Sequence, residues 1–95
     1  MKNFKYYTAK GIGYDLPSLP ELAGSEKQVA WANGIRNRIL TGMMEKIVPE
    51  YFDQILSLIP EFCAMHANVR YWIDNDRHPQ NVIREFTSFA GQRIQ

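Results

Sequence analysis

The sequence predicts a mainly α-helical fold, a small bundle of three to four helices with an extended N-terminal arm. Three observations carry that expectation. Apolar residues recur at helical spacing after residue 25. Helix-start signals stand at Ser25, Pro49 and Asn68. The first 24 residues lack the helical period and carry glycine and proline instead. Ninety-five residues suit one domain, so the expected organisation is a single unit over 1–95, with an arm over 1–24 and a helical core over 25–95.

In the arm, Phe4, Tyr6, Tyr7 and Thr8 have side chains that favour extended backbone, and a short strand near residues 4–8 fits them. The stretch Leu16-Pro17-Ser18-Leu19-Pro20 is extended, because a residue before proline is pushed out of the α region. Leu16, Leu19 and Leu22 are its expected anchors on the helices.

Ser25 and Gln28 match the reciprocal capping pattern that opens a helix. Over residues 26–47, Trp31, Ile35, Ile39, Ala32, Met43, Val29, Ile47 and Leu40 fall on one broad arc. An arc that wide predicts neighbours on two sides, with Trp31 in the core. Gly42 lies within the arc, which suggests close approach of another chain segment.

Val48-Pro49 ends that helix, and Pro49 suits the start of the next. Tyr51, Phe52, Ile55, Leu56, Ile59, Phe62, Cys63 and His66 share a face that runs straight through Pro60. Two forms fit: one kinked helix, or two short helices broken near Ile59. Asn68 is the expected cap of a third helix bearing Val69, Trp72 and Ile73. After a break at residues 75–79, Val82, Ile83, Phe86, Phe89 and Ala90 mark a last helix, with Asp76 as its cap and Gly91 as its stop.

Net charge is +1, which gives no support for a strong basic field of the kind that binds nucleic acid non-specifically. No apolar run approaches the roughly 20 residues of a membrane span. Cys63 is the lone cysteine, so no internal disulfide forms. The first ten residues lack the apolar stretch of a secretory signal. The expectation is a cytoplasmic protein without membrane contact.

Arg36 falls in the middle of the apolar arc. A cation there needs a partner, and Asp74, beside Trp72 and Ile73, is the predicted one; the alternative is that Arg36 runs along the apolar face to reach water. Cys63 and His66 stand three apart, a spacing for two metal ligands, but a structural zinc needs four. Asp74, Asp76, His78 and Glu85 occupy calcium-loop positions, yet Pro79 stands where that loop needs glycine. Gly11-Ile12-Gly13 is too short to be a phosphate loop. The reading is therefore no metal, no cofactor and no catalytic residue.

The segment Leu19-Pro20-Glu21-Leu22-Ala23-Gly24-Ser25-Glu26-Lys27-Gln28-Val29-Ala30-Trp31-Ala32, closing on Ile35-Arg36, carries a resemblance, as does Tyr71-Trp72-Ile73-Asp74-Asn75. Together they resemble a family of small bacterial proteins and domains borne on phages, plasmids and integrated elements. The likeness spans about residues 16–77. Asp76 intervenes here before Arg77, where the family usually proceeds directly to arginine. Some relatives carry a zinc-ribbon-like cysteine cluster ahead of the first motif; this chain lacks those cysteines, so no zinc carries over. The resemblance implies a mobile-element setting and no chemistry.

In that setting the expected function is a non-catalytic protein-binding module, with inhibition of a host defence system such as CRISPR as its concrete form. The expected contact residues are Lys5, Tyr6, Tyr7, Lys10, Tyr14, Arg38 and Tyr71, since tyrosine and arginine commonly anchor interfaces. Two alternatives stand beside it: a nucleic-acid-binding accessory protein for replication or transfer of the element, and a structural homo-oligomer.

Overall fold

A computed structural model describes residues 4–94, with side chains from residue 6 onward. The order is β1 (Phe4–Tyr7), β2 (Gly13–Leu16), α1 (Glu26–Met44), a 3-10 turn (Pro49–Tyr51), α2 (Phe52–Met65), α3 (Val69–Asp74) and α4 (Pro79–Arg93). The mainly helical class and the N-terminal arm are as expected. The arm itself is a β-hairpin: β1 pairs antiparallel with β2, Tyr6 opposite Tyr14 and Tyr7 opposite Gly13. Its turn closes with Gly11 N–H donating to the Thr8 carbonyl at 2.8 Å, while Thr8 N–H donates to the Ile12 carbonyl at 2.9 Å. Gly11 has φ 83°, a left-handed conformation that glycine adopts without a Cβ clash.

One face of the hairpin turns inward. Tyr14 and Leu16 are buried there, and the Tyr14 ring stacks on Tyr6 and meets Phe52 edge-on. Beyond the hairpin, Leu22 is buried and Leu19 packs against the core. Ala23 then bridges to Asn68 in parallel register, donating to the Ala67 carbonyl at 2.7 Å and accepting from Val69 N–H at 3.1 Å. Gly24 permits that approach. A Cβ built on it would lie 2.7 Å from a Val69 methyl, closer than packed carbon atoms come.

Helix α1 opens on the predicted capping box. Ser25 Oγ accepts from Gln28 N–H, and Gln28 Oε1 accepts from Ser25 N–H, both at 3.2 Å. The helix ends at Met44, short of residue 47, because Lys46 and Ile47 close i→i−3 turns and Val48 is held extended before Pro49. Helix α2 is unbroken from Phe52 to Met65, with Pro60 inside it. Asn68 caps α3 as expected, its Oδ1 accepting from Arg70 N–H at 2.8 Å.

The last helix departs from expectation at both ends. Its N-cap is His78, with no side-chain bond, and Pro79 follows at a position that needs no N–H partner. At the other end α4 runs through Gly91 to Arg93. Arg93 holds this last turn, donating to Glu61 Oε2 at 2.6 Å and lying 4.5 Å over the Phe89 ring.

Helix α1 lies against α3 and α4, and α2 lies against α4. Trp72, Phe62, Leu40, Met44, Ile59, Val82 and Cys63 are the largest fully buried side chains. Trp31 is not in this core; it is 55% exposed. At ~100° per residue it stands roughly 40° beyond Ile35, just outside the arc that α3 and α4 cover. Gly42 is exposed too, and among the described residues nothing beyond its neighbours and its own helix backbone lies within 4 Å of where a Cβ would stand.

Candidate interaction surface

Arg36 is 5% exposed and does not meet Asp74. Its Nη1 donates to the Pro20 carbonyl at 2.9 Å and its Nη2 to Asn33 Oδ1 at 3.0 Å. The guanidinium thus clasps the arm rather than α3. Burial lowers its pKa from the usual arginine range. Asp74 is exposed and takes Arg70, one turn back, at 3.4 Å. The pair fails because Arg36 finds neutral acceptors closer to its own helix.

The expected contact residues do not share one setting. Tyr14 is buried at 5% exposure, and Tyr71 is half-buried, its hydroxyl enclosed. Burial first, then the neighbouring Glu85 carboxylate, hold the Tyr71 hydroxyl above the usual phenol range. Tyr6 is half-buried, and its hydroxyl accepts from Asn37 Nδ2 at 3.3 Å. Arg38 is exposed but committed to an ion pair with Asp76. That pair also explains why Asp76 does not cap α4. Tyr7 and Lys10 are exposed at the surface. The backbone of Lys5 lies in β1; its side chain falls outside the described residues.

Tyr7 is 65% exposed because the cross-strand partner beside it is Gly13, which offers no side chain to cover it. The hairpin turn packs by the end of α1, where Ala9 N–H donates to both Glu45 carboxylate oxygens at 3.0 and 3.1 Å. Between the turn and the α1–α2 connection lies a cleft of about 190 Å³, with Lys10, Ile12, Lys46, Val48 and Phe52 in its lining. Two exposed apolar residues missed in the sequence come from the connection: Val48 at 50% and Tyr51 at 47%. Proline spacing was the available signal, since an extended Val48 and a tight turn after Pro49 cannot bury both.

Cys63 and His66 do not form a metal site. Cys63 is wholly buried, and burial raises its pKa to about 11 despite the opposing effect of Arg36. The His66 ring stacks on Tyr71 with centroids 3.7 Å apart. Its Nε2 lies 3.1 Å from Glu85 Oε2, within ion-pair distance but outside hydrogen-bond geometry. Among the described residues no three of His, Cys, Asp or Glu are placed to hold a metal ion. No helix among them is long and apolar enough to cross a membrane. Comparison of the chain with protein-family models, with curated proteins and with solved structures finds no match in any of the three.

Proposed function

We propose that this chain is a non-catalytic protein-binding module of a bacterial mobile element or phage, acting by covering a surface of a host protein. A defence effector such as a CRISPR nuclease is the target class that setting suggests. The observation that carries the reading is the cleft at the hairpin turn, which exposed Val48 lines, with exposed Tyr7 and Tyr51 each next in sequence to a lining residue, Thr8 and Phe52. Scattered apolar residues are ordinary on a surface, but a concavity lined by Ile12, Ile47 and Val48 with charged neighbours suits a partner's side chain. Lys10, Glu45 and Lys46 supply those charges.

The test is retention of proteins from nuclease-treated bacterial lysate by the wild-type chain and by a Tyr7→Ser/Tyr51→Ser chain. A host protein held by the first and lost by the second supports the reading. Retention that disappears with nuclease points instead to nucleic acid. Equal retention by both chains removes the cleft from the account.

A further inference from the structure

The outward face of α1 matches itself. Lys27, Trp31, Gly34, Arg38, Thr41 and Glu45 follow one another at intervals of four and three, the spacing of a helix-pairing seam. This line runs opposite the buried residues Ile35, Arg36, Ile39 and Met43. All six residues are exposed except Thr41, which is half-exposed. Under a twofold axis at the level of Arg36, with the two helices antiparallel, each position meets one of complementary character. Lys27 faces Glu45 of the second copy. The large Trp31 faces Thr41, with Gly42 beside it. Gly34 faces Arg38, whose head group is drawn aside to Asp76.

Two further observations accord with this pairing. Each exposed glycine costs a helix interior about 1 kcal/mol relative to alanine, yet among the described residues no other segment approaches Gly34 or Gly42 to require one. Lys27 has no ion-pair partner among the described residues. We infer that α1 is a homodimer face on which a second copy of this chain docks antiparallel, Trp31 of each copy seated over Thr41 and Gly42 of the other. An isologous contact of this kind closes on itself and stops at two. Six residues a side is far below the ~20–30 of a stable interface, so the dimer is weak, with Kd between about 10 μM and about 1 mM. Apart from Glu45 the seam shares no residue with the hairpin cleft, so the host-protein reading stands or falls separately.

Sedimentation velocity over a concentration series up to about 1 mM reads the equilibrium. The wild-type chain is expected to shift from monomer to dimer, and Trp31→Ser to weaken the shift at least tenfold with an unchanged circular-dichroism spectrum. Register is read by covalent trapping. A Lys27→Cys chain mixed with a Glu45→Cys chain should form a disulfide dimer on mild oxidation. The Lys27→Cys chain alone should not, because the two copies of position 27 lie roughly 27 Å apart along the axis at ~1.5 Å per residue. Monomer at every concentration, a dimer indifferent to Trp31→Ser, or trapping by Lys27→Cys alone would each overturn the inference.

Discussion

Arg36 on α1 reaches back sixteen residues to donate to the Pro20 carbonyl, so the one buried cation of the first helix is spent on fastening the arm. With Leu22, the Ala23–Asn68 bridge and the Ser25 cap, this contact accounts for most of the motif between Leu19 and Arg36 as architecture. Trp31 is the large member of that motif which the fold leaves outside.

Arg36→Met should keep the aliphatic stem and lose both hydrogen bonds, taking from the half-buried Pro20 carbonyl its guanidinium donor. The expected loss is about 2–3 kcal/mol of unfolding free energy in urea denaturation. Asp74→Asn should cost under about 0.5 kcal/mol, because its contact with Arg70 is exposed. Comparable losses from the two substitutions would restore the Arg36–Asp74 pairing that the sequence suggested.

Gly24→Ala should destabilise by about 1–3 kcal/mol, since the new methyl lands on the stiff, buried Val69. Adding Val69→Ala should recover part of that loss despite the cavity it opens. Thermal melts of the two single variants and the double variant would show the coupling. Strict additivity would mean that the close approach is not the cause.

The two tryptophans should behave oppositely. Trp31→Ser should change stability by less than about 0.5 kcal/mol and remove the iodide-quenchable fluorescence. Trp72 is fully buried and its Nε1 donates to the His66 carbonyl at 2.8 Å. Trp72→Phe should therefore cost about 2–3 kcal/mol and leave a fully quenchable signal.

Alkaline pH should loosen the fold through Cys63. Its thiol titrates near 9.0 when unfolded and at about 11 when folded. Below pH 9 both states keep the proton. Between 9 and 11 the unfolded chain releases it while the folded chain retains it, so stability falls as pH rises through that window. The Tyr71 hydroxyl, also raised, extends the fall above pH 10. In Cys63→Ala the decline should begin about one unit later. An unchanged onset in melts across this range would contradict the assignment.

What the sequence disclosed was mostly what is local. Ser25 with Gln28, Pro49, and Asn68 act through bonds to residues two to four away, so their roles could be assigned without knowing the fold. The α2 face was plain from Phe52 onward, since Pro60 leaves the apolar period intact, but Tyr51, expected on it, belongs to the preceding turn and is exposed. What escaped depended on tertiary placement. The arm was expected to hold one short strand near residues 4–8, and Gly13–Leu16 becomes its partner only through the pairing with Phe4–Tyr7. Tyr14 looks like a surface tyrosine until its strand alternation is known. Trp31 sits at the margin of the apolar arc, where a shift of one side chain separates core from surface. Asp76 could cap α4 or reach Arg38, and only the loop's position beside α1 decides.

The most direct test of the central claim is a calorimetric titration of this chain into whichever protein the lysate experiment identifies, at 50 and 200 mM salt. Binding through Tyr7, Val48 and Tyr51 predicts a Kd that changes by no more than about threefold with salt and weakens at least tenfold in Tyr7→Ser/Tyr51→Ser. A loss of roughly a thousandfold between the two salts, with the double variant binding as wild type, would mark a phosphate-driven contact and contradict it.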